Sequence, residues 1–209
     1  MYVMFWMDKN NTPHVTYYNF GFYVDWMFME ESLEIWADLC VQDGDHDDPA
    51  IAMGAIRFWG GFEYTFEHDS TPKLGLDILF IQGQEDDTLA FNVLKEDYDR
   101  TFVAEAYGDI LPRANEGYIS VQLQGGMSSL YDGKLELGGT VTWFQADGDL
   151  SGNRGDGLGY EVDLFGIYHY SEDVTFAAAM GYFLPDEDLA GFDDPDAVTL
   201  FVFQVWLDF

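Results

Sequence analysis

Apolar and polar residues alternate with a period of two along most of this chain. In 158–170, Leu158, Tyr160, Val162, Leu164, Gly166, Tyr168 and Tyr170 fall on one face. Glu161, Asp163, Phe165, Ile167 and His169 fall on the other. Residues two apart share one face of an extended chain, so the pattern predicts a strand with one apolar and one mixed face. The same alternation recurs in 33–42, 135–144 and 200–209. It predicts ten strands in all: 2–7, 14–27, 33–42, 50–66, 73–84, 117–128, 134–146, 158–170, 174–183 and 197–209. Helical periodicity is weak and confined to a stretch around 88–112. Many of the strands exceed the usual five or six residues.

The connections alternate in length. Those at 8–13, 43–49, 85–116, 147–157 and 184–196 are mostly long and rich in Asp and Gly, whereas 28–32, 67–72, 129–133 and 171–173 are short. Long loops at every second turn are what a transmembrane β-barrel has, with short turns on one side of the bilayer and longer loops on the other. The apolar face carries Phe20, Phe22, Trp26, Phe58, Phe62, Tyr64, Phe66, Tyr160, Tyr168, Tyr170, Tyr182 and Phe203, several at strand ends as in interfacial aromatic girdles. The opposite face carries Asp25, Glu34, Asp38, Glu63, Asp77, Glu136, Glu161, Asp163 and Asp208, with Arg57 as its single base. Charges at strand centres are costly in a dry core but not in a water-filled lumen. The expectation is an all-β fold: an antiparallel transmembrane β-barrel of about ten strands, one domain over 1–209, its wall lined by these residues. The competing reading is a secreted, calcium-dependent, carbohydrate-binding β-sandwich, which needs a second layer to cover the aromatic face.

Composition narrows the partners. With 39 Asp and Glu against 8 Lys and Arg, the net charge is −31. Such a surface repels phosphate backbones, so nucleic acid is excluded. Hydrophobic residues make up 48% of the chain, which excludes disorder. A lone Cys40 excludes a disulfide framework. No apolar run is long enough for a membrane-spanning helix. The opening MYVMFWMDKNN lacks the basic start and small-residue cleavage site of a secretory signal and begins directly in a strand.

The run YNFGFYVDWMFMEESLEIWADLCVQDGD, then AIAMGAIRFWGGFEYTF, then PKLGLDILFIQGQEDD, resembles the C-terminal half of the alginate export family. So does the closing hairpin GLGYEVDLFGIYHYSEDVTFAAAMGYFLPDEDL. The resemblance spans roughly 14–209 and implies an eighteen-strand outer-membrane barrel, of which this chain is either the C-terminal part, incomplete at its N-terminus, or a smaller relative whose ten strands close by themselves. It implies a channel for diffusion or export of small solutes or polysaccharide, localised in the bacterial outer membrane. The implied partners are lipid, lipopolysaccharide and the barrel-assembly machinery, the last reading the carboxy-terminal Phe209. The family's conduit is lined with Arg and Lys, whereas the face inferred here is acidic. An acidic lumen excludes polyanions and favours cations.

Little else in the sequence carries chemistry. The acidic run Asp43, Asp45, Asp47 and Asp48 is the best candidate for calcium, which takes several carboxylate oxygens at short spacing. His14, His46, His68 and His169 have no zinc-motif spacing. Glu161 and Asp163 stand about 7 Å apart on one strand face, a separation that glycosidases use, but they read as part of a charged wall. With no nucleophile elbow and no phosphate loop, no enzyme is expected. The long 85–116 connection mixes acids with apolar groups and predicts an inward-folded constriction loop, with Lys95, Arg100 and Arg113 pairing with wall carboxylates.

Overall fold

The computed structural model describes residues 2–8, 15–46, 54–83, 117–147, 156–190 and 196–207. Ten antiparallel strands form one sheet in strict chain order: β1 (Tyr2–Asp8), β2 (Val15–Phe28), β3 (Leu33–His46), β4 (Ala55–Thr65), β5 (Pro72–Ile81), β6 (Tyr118–Ser129), β7 (Leu135–Ala146), β8 (Gly157–His169), β9 (Val174–Pro185) and β10 (Val198–Leu207). Each strand pairs with the next, and among the described residues no pairing joins β1 to β10. The meander follows from the alternation itself. Every predicted strand lies within a few residues of an observed one. All ten strands belong to one layer, so among the described residues the second sheet that a sandwich requires is absent.

The strands are staggered. A row of mutual partners starts at Phe28, the last residue of β2. It runs through Leu33, Tyr64, Leu74, Gly125, Gly139, Leu164 and Met180 to Phe201, six residues before the end of β10. A steady drift of this kind means that the strands are inclined to a common axis, the geometry by which a sheet curls.

Four connections on one side are tight: 29–32, 66–71, 130–134 and 170–173. Three of them are built on left-handed residues other than glycine, including Met29, Glu30 and Glu31 in succession and Tyr131 and Asp132 in the third. On the opposite side the ends of the longest connection are drawn together. The Gly83 N–H donates to Asp147 Oδ2 at 2.9 Å, and the Asp147 N–H donates to the Gly117 carbonyl. Gly117 has φ +59°, and a side chain there would collide with the Gly83 backbone. A single helical turn, Glu187–Ala190, follows β9 and is tied to β8 through the Gly157 N–H and Asp188 Oδ2.

Two expectations are corrected. Residues 43–46, expected in a loop, continue β3, because they pair with Tyr18 to Val15 of β2. Leu158, expected on the face of Tyr160, lies in a cluster with Phe144, Ala146 and Phe183 on the opposite face. The cause is a bulge: Phe144 pairs with Gly159 and Gln145 with Gly157, so Leu158 is the extra residue, beside Gly159 at φ +132°.

Candidate functional site: the polar face of the sheet

The two faces of the sheet differ throughout. From Phe22 in β2 to Leu207 in β10, one face presents Phe, Leu, Ile, Val, Trp, Tyr, Met, Ala and Gly with an occasional Thr or Gln. No Asp, Glu, Lys or Arg falls there until Asp43, at the loop-side end of β3. Its large side chains are open to the surroundings: Phe201 is 72% exposed and Trp26 58%. Aromatic pairs collect toward the strand ends, as with Tyr64 and Phe66 at 4.8 Å.

The other face holds the predicted wall residues. Strand register puts Asp25, Glu34, Asp38, Arg57, Glu63, Asp77, Glu136, Glu161 and Asp163 all on this side. One base escaped the sequence reading. Lys73 pairs with Gly126 and Thr65, sits on the same face, and its Nζ donates to Glu63 Oε1 at 2.7 Å. Its parity with Asp77, four residues on in the same strand, is the signal that finds it.

This face is stratified. On the loop side, Cys40, Ala55, Leu79 and Ile81 form one apolar cluster and Phe144, Ala146, Leu158 and Phe183 another, with Tyr118 against both. Next toward the turns comes a polar belt of Asp38, Arg57, Asp77, Gln122, Thr142, Glu161 and Asp163, all buried. Arg57 donates to Asp38, Gln122 Nε2 to Thr142 Oγ1 at 2.9 Å, and Thr140 Oγ1 to Asp163 Oδ2 at 3.2 Å. These charges were expected to meet lumen water. Instead Glu161 and Asp163 are 0% and 1% exposed, and the Thr140 hydroxyl donates to one Asp163 oxygen where lumen water was expected.

Nearer the turns the wall opens. A hollow of about 140 Å³ lies among Glu63, Lys73, Gly75, Gln124, Gly126, Thr140 and Phe165. Beyond it Glu136 faces His169 at 3.4 Å, and both are about half exposed. The remaining candidates fall elsewhere. Asp43 sits on a strand with its carboxylate capping the Gly44 N–H, Asp45 continues that strand, and Asp47 and Asp48 lie outside the described residues. Among the described residues no three potential metal ligands converge. Lys95, Arg100, Arg113, Asp208 and Phe209 also lie outside them. Cys40 is buried and faces Asn19 Oδ1 at 4.0 Å.

No protein-family model, curated protein or solved structure matches the chain.

Proposed function

We propose that this chain is the wall, or part of the wall, of an outer-membrane β-barrel that conducts small solutes, with its apolar face to lipid and its carboxylate-bearing face to an aqueous conduit. One observation carries the reading. Across nine strands one face has no ionisable carboxylate or base within the apolar band, while its reverse carries eight carboxylates and two bases. Water does not favour a sheet whose exposed face is continuous Phe, Leu, Val and Trp; a bilayer does. Strands of 10–14 residues in β2–β10 suit the roughly 9–11 needed to cross the hydrocarbon core at a tilt.

The charge balance supports cation preference over the polyuronate conduction that the alginate-export resemblance implies. With Arg57 held by Asp38 and Lys73 by Glu63, the wall field is negative. Lipid and lipopolysaccharide are the partners of the apolar face, and no catalytic role is assigned. The test is reconstitution in a planar bilayer under a KCl gradient. A reversal potential of the cation-selective sign is expected, together with heat-modifiable gel migration. Anion selectivity, or a monomer that stays soluble without detergent, overturns the reading.

A further inference from the structure

Among the described residues Trp36, Trp59 and Trp206 fall on the polar side of the sheet by register. In membrane barrels indoles gather at the lipid interface, where an apolar ring and a polar N–H both find partners. Trp36 and Trp59 instead share the inner face, diagonal to one another across β3 and β4, their ring centroids 6.1 Å apart and their planes inclined at 58°. Trp59 leans on the apolar cluster around Leu79. Trp36 stands one row nearer the turns, among acids. Asp25 is its direct partner in β2, Glu34 and Asp38 flank it on β3, and Gly61 is its partner in β4. At Gly61 a side chain is barred, because its Cβ would meet Leu76 O at 2.4 Å and Asp77 Cβ at 2.6 Å, so β5 approaches closely on that side of the indole. Tyr23, opposite Asp38, two residues from Asp25 on the same strand face and 45% exposed, adds a third ring.

We infer that Tyr23, Trp36 and Trp59, with Asp25 and Glu34, form a subsite for an organic ammonium ion on the conduit wall. Indole faces attract a cation through their quadrupole, and two inclined rings beside carboxylates are the arrangement that recognises alkylammonium groups. The resident bases do not fill this role. Arg57 is engaged by Asp38 and Lys73 by Glu63, and among the described residues no basic side chain pairs with Asp25 or Glu34. The inference rests on the conduit reading for its purpose but not for its chemistry.

The protein folded in detergent micelles is titrated with choline chloride, with sodium chloride at equal ionic strength, and with 3,3-dimethyl-1-butanol, choline's uncharged isostere. Binding is followed by tryptophan fluorescence and calorimetry. Saturable binding of choline alone is expected. Trp36→Leu should weaken it about tenfold, Asp25→Asn should weaken it less, and Trp26→Leu on the apolar face should leave it unchanged. Trp36→Phe keeps a ring and should bind at an intermediate level, so a loss caused by misfolding is recognised. Equal binding of the butanol, or native affinity in Trp36→Leu, overturns the proposal. Since no current is measured, choline binding without conductance removes only the conduit, and cation-selective conductance without choline binding removes only this subsite.

Discussion

The loop-side and turn-side halves of the inner face are made by the same strands, yet they treat charge in opposite ways. On the loop side Asp38, Arg57, Asp77, Glu161 and Asp163 are buried beneath apolar side chains such as Leu79, Phe144 and Phe183. On the turn side Glu63, Lys73, Glu136 and His169 are partly or largely open. Strand parity decides which face a residue occupies. It does not decide whether that residue meets water, because that depends on the bulk of its neighbours one row away. In the buried half each charge depends on its partners for stability, and in the open half solvent does the same work.

The largest effect is therefore expected at Asp38. Its ion pair with Arg57 leaves the two side chains 12% and 8% exposed. Asp38→Ala strips the carboxylate from a buried guanidinium and should cost about 3–5 kcal/mol, read as a lower urea midpoint in detergent or lipid. The double variant Asp38→Leu with Arg57→Met should recover most of that loss, since no charge then remains to be desolvated. A single variant of native stability would mean that the loop half is wet, and the contrast between the halves would vanish.

The strands and their faces were legible in the sequence because a period of two runs through each strand from β2 to β10. Two features hid from it. Asp43-Gly-Asp45 reads as a turn, and only the facing residues Tyr18, Tyr17 and Thr16 of β2 hold it extended. Leu158 obeys the alternation on paper, yet a bulge beside a glycine at positive φ turns it inward, and a bulge leaves no sign in periodicity. The candidate site was legible as a set of acids on one side. Its layering was not, because burial of Glu161 or exposure of Glu136 is set by packing rows that run across strands rather than along them.

Apolar truncation probes the same contrast at the next magnitude. Leu79 is fully buried between Trp59 and Ser120, and Leu79→Ala should cost about 2–4 kcal/mol through lost transfer energy and a residual cavity. Ile167 lies on the same face in the turn half and is only half-buried. Ile167→Ala should cost roughly 1 kcal/mol, in proportion to the smaller area it removes from water. Equal midpoints for the two variants would show that the halves are packed alike.

The smallest effect belongs to the turn-side ion pair. Lys73 and Glu63 meet at 2.7 Å, but their side chains remain 48% and 24% exposed, so water already solvates both charges and salt screens them. Lys73→Gln should lower stability by less than about 1 kcal/mol, and that difference should shrink further as salt is raised. The same substitution removes one of the two bases on a face with eight carboxylates and frees Glu63 beside the hollow, so its electrical effect should exceed its structural one. In the planar bilayer the reversal potential should move further toward cation selectivity, while Asp38→Asn, deep in the shielded half, should move it less. A stability loss of several kcal/mol at Lys73, or an unchanged reversal potential, would place this pair with the buried belt rather than with the open wall.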